Sequence, residues 1–160
     1  DEAGSSSLIY MMKKELEEKY NLSVLAVEVD KRDFTFFRSK DMISTDKTSI
    51  ATELLKAKNY NYILVDLNDY DENICDETLY LIEPSIIKLN KLMLRDKGVF
   101  SRLRDKKVII NRSVLNEADI KEFASEAGIK IFDVIPCLND RELSKEISSL
   151  LVKLGMVKGV

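Results

Sequence analysis

Histidine is absent from this 160-residue chain. That removes the commonest proton shuttle and the commonest zinc ligand, so Ser-His-Asp and Cys-His catalysis and histidine-based metal sites are excluded. Cysteine is scarce. Cys75 and Cys137 lie far apart without CxxC spacing, which suits reduced thiols in a cytoplasmic protein better than a disulfide scaffold. No apolar run approaches the length a bilayer demands, and the first residues hold neither a basic region nor a signal core. These absences set the expectation of a soluble, cytoplasmic protein with no membrane span. A strong charge of either sign is missing too: 25 Lys and Arg face 28 Asp and Glu, a net charge of -3. Bulk electrostatics therefore recruits neither nucleic acid nor membrane. What is present is 45% hydrophobic, enough for a continuous core in one domain of this length.

Leu8, Ile9, Met12 and Leu16 recur at spacings of three and four with Lys13, Lys14, Glu15, Glu17, Glu18 and Lys19 on the other side. This predicts a helix over residues 6 to 20, stopped by Asn21. SVLAVEVDK is a β-branched, nearly continuous apolar run of the kind found in buried parallel strands, with Glu28 and Asp30 at its C-terminal end. Residues 31 to 46 read as irregular. TSIATELLKAK predicts a helix capped near Thr48, YNYILVDLND a second strand giving out at Asp66, and Thr78 to Ile82 a third, broken at Pro84. SIIKLNKLMLRD predicts a helix and KKVIINR a fourth strand. NEADIKEFASEAG predicts a helix with Asn116 as cap and Gly128 as stop, and KIFDVIPC a fifth strand ending at Pro136. A last helix is expected from about Asp140 to Leu154.

Apolar strands alternating with amphipathic helices imply an α/β protein: a three-layer arrangement with a mostly parallel sheet and helices on both faces. In such sheets the ligand crevice lies beyond the carboxyl ends of the strands. Glu28, Asp30, Asp66, Asp69, Glu83, Asn111, Arg112 and Pro136 all fall there. The chain also opens on a small-residue run, Gly4-Ser5-Ser6-Ser7, entering a helix. Hydroxyls there can cap the helix, and a glycine lets backbone amides approach a ligand closely. The run contains no lysine, and Asp1 and Glu2 stand where an anion would come. A loop of this kind in an α/β fold is preceded by a strand, so the first strand is expected upstream of Asp1.

AGSSSL before a helix, VLAVEVDK after it, YNYILVDLND, LYLIEPSIIKLNKLM, VIINR and IKIFDVIPCLND stand in a recognisable order. The sequence resembles the ParA/MinD group of deviant P-loop ATPases, and within it the CpaE/TadZ branch associated with pilus assembly. The likeness covers essentially the whole chain, so residues 1 to 160 are expected to be one P-loop NTPase-like domain within a longer natural chain. In the family, G-G-x-G-K-[ST]-[ST] wraps the phosphates; the corresponding stretch is Asp1 through Ser7. Gly4 is retained, Ser6 and Ser7 take the hydroxyl positions, and Ser6 would be the magnesium ligand. Ser5 replaces the lysine, while Asp1 and Glu2 replace glycines. The family's D-x-D strand end resembles Glu28 and Asp30, and its Walker B aspartate resembles Asp66. Asn111 matches an asparagine that contacts the purine base, with Arg112 after it. The resemblance thus implies nucleotide contacts from Gly4, Ser5, Ser6, Ser7, Asn111 and Arg112, and magnesium contacts from Ser6, Asp30 and Asp66 if a nucleotide binds.

The substitutions have a physical direction. The lysine normally neutralises the β- and γ-phosphates during transfer, and a neutral serine cannot. Two carboxylates at the mouth repel a polyphosphate. Residual ATP and magnesium binding is compatible with the residues, whereas efficient hydrolysis is not expected. The resemblance therefore implies a non-catalytic or weakly catalytic adaptor that localises or recruits a pilus or secretion assembly through protein contacts, with a homodimer as a further expectation. The alternative is an active ATPase with a nucleotide-dependent dimer cycle.

Blander readings run beside these. The serines can simply cap a helix, and Asp66 can be a solvated strand end. Glu28 with Asp30 also resembles the acid pair of a phosphoacceptor receiver domain, but Asn111 and Pro136 stand where that fold wants Thr/Ser and Lys. DLNDYDENICDETLYLIE lacks any Lys or Arg, and residues 88 to 107 are basic. The basic stretch suits non-specific DNA or complementary docking, with a solvated face preferred. Leu143, Ile147, Leu150, Leu151 and Leu154 give the last helix an apolar face. Glu142 and Glu146 and the lack of aromatics favour packing against the sheet over a membrane surface.

Overall fold

The run Val24–Val29 becomes a strand buried along its whole length. Around it the computed structural model, which describes residues 4–83 and 98–159, arranges the elements in this order: α1 (Ser5–Glu18), β1 (Val24–Val29), β2 (Met42–Thr45), α2 (Ile50–Lys56), β3 (Tyr62–Asp66), β4 (Leu79–Ile82), α3 (Val99–Arg102), β5 (Lys107–Ser113), α4 (Glu117–Ala127), β6 (Ile131–Pro136) and α5 (Lys145–Lys153). Short 3-10 turns span Asp33–Phe36 and Glu72–Ile74. All pairing among these strands is parallel, in two three-stranded sheets of order β2-β1-β3 and β4-β5-β6. The α/β class and parallel pairing match the sequence pattern, whereas alternation alone led to the expectation of one sheet. Which strand pairs with which is a long-range choice that local alternation does not encode. The chain divides into two compact units, Ser5–Asp76 with Asn139–Val160, and Asp1–Gly4 with Glu77–Leu138.

In the unit around β1, alternate residues of the strand face opposite ways. Leu25, Val27 and Val29 pack with Ile50 and Ala57 of the α2 region. Ala26 packs with Ile9 of α1 and with Phe34. Burial on both faces explains why the strand is apolar nearly throughout. Its exception, Glu28, lies on the Ala26 side.

Two local expectations change, and the cap expected near Thr48 falls on the adjacent Ser49. Residues 31 to 46 hold the strand β2, which Met42, Ile43, Ser44 and Thr45 are too short and too polar to announce. Its register, from Ala26↔Met42 to Val29↔Thr45, recruits it to the edge of β1. The α2 helix begins at Ile50, and its turn is held by Asp46 Oδ1, which accepts from Thr48 N, Ser49 N and Thr48 Oγ1 at 3.0, 2.9 and 2.7 Å. The last helix begins at Lys145, because Ser144 caps it by accepting from Ile147 N at 3.2 Å. Leu143 is thereby left outside and exposed, while Ile147, Leu150 and Leu151 are buried.

The neighbour of α5 is α1. Glu15 Oε1 accepts from Ser144 N at the head of α5, and Glu15 Oε2 accepts from Ser148 Oγ at 3.1 Å. Lys19 Nζ donates to Ser148 Oγ at 2.7 Å. A carboxylate at a helix N-terminus is favoured by the dipole, so Glu15 both pins α5 to α1 and caps it. Asn21, at φ 55°, ends α1 as expected.

In the second unit Ile82, Phe100, Leu103, Val108, Ile110, Phe123 and Ile129 form the core, with Phe100 and Phe123 edge to face at 5.6 Å. Asn116 caps α4 by accepting from Asp119 N at 2.8 Å. Gly128, at φ 67°, ends it, with Gly128 N and Ile129 N returning to Ser125 O and Ala124 O. The expected helix SIIKLNKLMLRD spans residues 85–96 and, like Pro84, Asp1 and Glu2, lies outside the described residues.

Candidate functional site

The first turn of α1 stands over the carboxyl ends of β1 and β3. It carries no acidic residue of its own, so carboxylates from elsewhere serve its N-terminus. Ser5 Oγ donates to Asp66 Oδ2 at 2.7 Å, and Lys31 Nζ donates to the same oxygen at 3.0 Å. Lys31 Nζ also lies 3.4 Å from Ser5 Oγ. Ser6 Oγ donates to Asp33 Oδ2 at 3.3 Å. On its other oxygen Asp66 accepts from Asn68 N at 3.3 Å.

Parallel register sets Glu28 between Ser44 on β2 and Asp66 on β3. Adjacent strands lie about 4.8 Å apart, so two carboxylates sit on neighbouring positions of one row, and Lys31 offsets part of their repulsion. Glu28 Oε1 accepts from Ser44 Oγ at 2.6 Å and from Phe34 N at 3.0 Å. It thereby ties the edge strand and the Asp33–Phe36 turn to β1. Its Oε2 is buried without a partner.

Both strands then turn through left-handed residues, Asp30 at φ 55° and Asn68 at φ 57°, types that tolerate this conformation. The turn carries Asp30 to Lys47, whose Nζ is 3.9 Å from Asp30 Oδ2 and 2.9 Å from Asp69 Oδ1. Hydrogen bonding to Asp69, then its charge, raises the Lys47 pKa, and the same contact lowers that of Asp69.

The other unit holds Gly4, Asn111 and Arg112. Asn111 is buried, and its Nδ2 donates to Gly4 O at 3.4 Å. Gly4 has φ 73°, and a Cβ there would lie 2.6 Å from Arg112 Nε and 2.9 Å from Asn111 Nδ2. The glycine expected to let a ligand approach thus lets these two side chains approach. Arg112 itself has φ 54° and sits where the register of β5 on β6 shifts, a bulge of the sort that re-aims side chains. Cys137 Sγ donates to Arg112 O at 3.6 Å.

Of the residues singled out in the sequence, Ser5 and Asp66 are joined directly, and Gly4, Asn111 and Arg112 form a second group. Ser6 is bonded to Asp33, and Asp30 pairs with Lys47. Ser7 is half-buried in the first turn of α1. Lys31, Asp33 and Ser44 escaped the sequence reading. Lys31 was within reach of the strand-end rule, since it directly follows Asp30. Asp33 and Ser44 fall in the stretch taken as irregular. Among the described residues no group of three or more Cys, Asp or Glu side chains is placed to hold a metal ion. No described helix is long and apolar enough to cross a membrane. Neither a scan against protein-family models nor a search of curated proteins finds a match to this chain.

Proposed function

We propose that the chain is a ParA/MinD-like domain of the CpaE/TadZ type, three-layered and P-loop NTPase-like, with a degenerate nucleotide site. In this reading it is a cytoplasmic adaptor that localises or recruits a pilus or secretion assembly through protein contacts and self-association. One observation supports it most: the Ser5 and Ser6 hydroxyls at the head of α1, and the Lys31 ammonium beside them, are engaged by the chain's own carboxylates. Ser5 and Lys31 bond to Asp66, and Ser6 bonds to Asp33. A triphosphate entering there displaces those carboxylates and meets Glu28 and Asp66 as like charges, each repelling by roughly 1 to 4 kcal/mol per unit charge at 4 Å separation. Magnesium does not fit these donors as they stand. Asp66 gives one oxygen to Ser5 and Lys31 and the other to Asn68 N, Ser6 donates to Asp33, and Asp30 faces Lys47.

Thermal melting with and without Mg-ATP, paired with a phosphate-release assay, tests the proposal. The expected result is an unchanged melting temperature and release at the buffer rate. A nucleotide present at 100 to 1,000 times its Kd stabilises by about 3 to 4 kcal/mol, so a shift of several degrees with turnover lost in Asp66→Asn would overturn it. The active-ATPase alternative draws on Lys31, whose ammonium stands beside Ser5, the residue that replaces the lysine of the motif. Turnover that falls in Lys31→Ala would favour that alternative.

A further inference from the structure

The loop between β1 and β2 exposes an aromatic ring beside cations. Phe34 is buried and Phe37 is stacked on Tyr10 at 4.8 Å, so the loop is anchored on both sides of Phe36, which is 83% exposed. Thr35 Oγ1 donates to Arg32 O at 2.8 Å and Phe37 N to Phe34 O at 3.2 Å, which holds the turn that carries the ring. The acids of this loop face inward: Asp33 accepts from Ser6 Oγ and Asp41 from the Tyr60 hydroxyl. Its outer cations are not spent in the same way. Arg38 and Lys40 are exposed and have no ion-pair partner among the described residues. A lone exposed ring is ordinary, but one held in place beside two unspent cations has both shape and sign.

A surface of opposite sign lies on the other side of the same sheet. Phe34 and Phe37 pack with Ala26 on the α1 side, whereas Tyr70 and Ile74 pack with Leu25, Val27 and Val29 on the α2 side. In that second segment Asp71 and Asp76 are exposed, and Tyr70 and Ile74 are only half-buried. Lys47, the cation nearest to it in the contacts above, is already paired with Asp69. Because β1 turns alternate residues to opposite faces, the two surfaces face away from each other and one molecule cannot join them. A second copy can.

We infer that they are the two halves of a head-to-tail contact between copies of this chain. Phe36 of one copy enters between Asp71 and Asp76 of the next, against Tyr70 and Ile74, with Arg38 and Lys40 facing the two carboxylates. The inference rests on the self-association in the reading above and gives it a surface. Since the halves are different surfaces, the contact is heterologous and propagates past the dimer. Nucleic acid or an anionic lipid surface would match the loop in sign but leaves the opposed acidic segment without a role. The charged pairs steer approach, and the contact weakens with salt.

Sedimentation velocity over a concentration series at low salt tests the contact. The wild-type chain is expected to form species beyond the dimer, and Phe36→Ser to raise the association Kd by at least ~10-fold. Val114→Ser, which removes an equally exposed apolar side chain from the other unit, is expected to associate like wild type. Arg38→Asp/Lys40→Glu and Asp71→Lys/Asp76→Lys are each expected to stay monomeric, since each sets like charges against each other; aspartate tolerates the φ of 50° at position 38. Mixed together, the two charge variants are expected to associate again, because each supplies the opposite of what the other lost. A wild-type chain that stays monomeric or stops at a dimer, equal losses in Phe36→Ser and Val114→Ser, or a mixture that stays monomeric overturns the proposal. Capture of the wild-type monomer by anionic vesicles or DNA through Phe36 would overturn it too. ATP turnover would remove the adaptor reading without altering these profiles, and a failed mixture leaves the nucleotide result as it stands.

Discussion

Replacing Gly4 by alanine meets two obstacles at once. A left-handed backbone costs an L-residue about 1 to 2 kcal/mol, and the new Cβ would lie 2.6 Å from Arg112 Nε and 2.8 Å from its Cζ. Gly128 has a similar φ of 67° but open space around it. Chemical denaturation is therefore expected to show a larger loss for Gly4→Ala, about 2 to 3 kcal/mol, than for Gly128→Ala, about 1 kcal/mol. Equal losses would mean that the Arg112 contact carries no energy. Lys31→Ala removes the cation from the largely buried Asp66 while Glu28 stays in the next register position, and it is expected to destabilise by about 3 kcal/mol, read the same way. Ser5 and Asp66 could be picked from the sequence because each marks an element end. Lys31 and Asp33 acquire their roles only through the path of an irregular segment, which residue type does not dictate.

Caps decide where the helices lie, and each can be tested by removal. Asn116→Ala leaves the start of α4 without its side-chain acceptor and is expected to cost about 1 kcal/mol in denaturant titration. Glu15→Ala, which orphans both Ser144 N and the hydroxyl of Ser148, is expected to cost about 2 to 3 kcal/mol. Asp46 adds a pH signature. Its hydrogen bonds from Thr48 and Ser49 lower its pKa, so its contribution is present above the ordinary aspartate value and fades as pH falls through the lowered one. The Thr48 and Ser49 amide resonances should titrate with a midpoint below the ordinary aspartate value, and this titration should vanish in Asp46→Asn. Both ends of α4 were legible, because Asn116 and Gly128 are short-range signals. The strand β2 was not, since four residues with two hydroxyls become a strand only through pairing with β1. The start of α5 was misplaced because Asp140 and Ser144 are both plausible caps, and the choice belongs to Glu15, far away in sequence.

Across the whole molecule the charge balance is nearly even, -3 in total, and the basic residues that are described are partly engaged. Lys107 is paired with Glu77 and stacks 5.1 Å from the Phe132 ring centre, and Lys106 lies 5.9 Å from that of Tyr80. At about 0.15 M salt, where exposed charges are screened beyond ~8 Å, a gel-shift assay is expected to leave duplex DNA unshifted. The α/β class was legible from the alternation of apolar runs with amphipathic helices. The division into two sheets was not, since it depends on contacts between segments far apart in the chain.

The contacts of α5 do not follow the order in which the protein is made. A growing polypeptide folds by units as they emerge, yet α5, which is made last of the named elements, packs against α1, which is made first. The unit assembled from Asp1–Gly4 and Glu77–Leu138 has all its residues once translation passes position 138, while the unit of Ser5–Asp76 and Asn139–Val160 waits for its final helix.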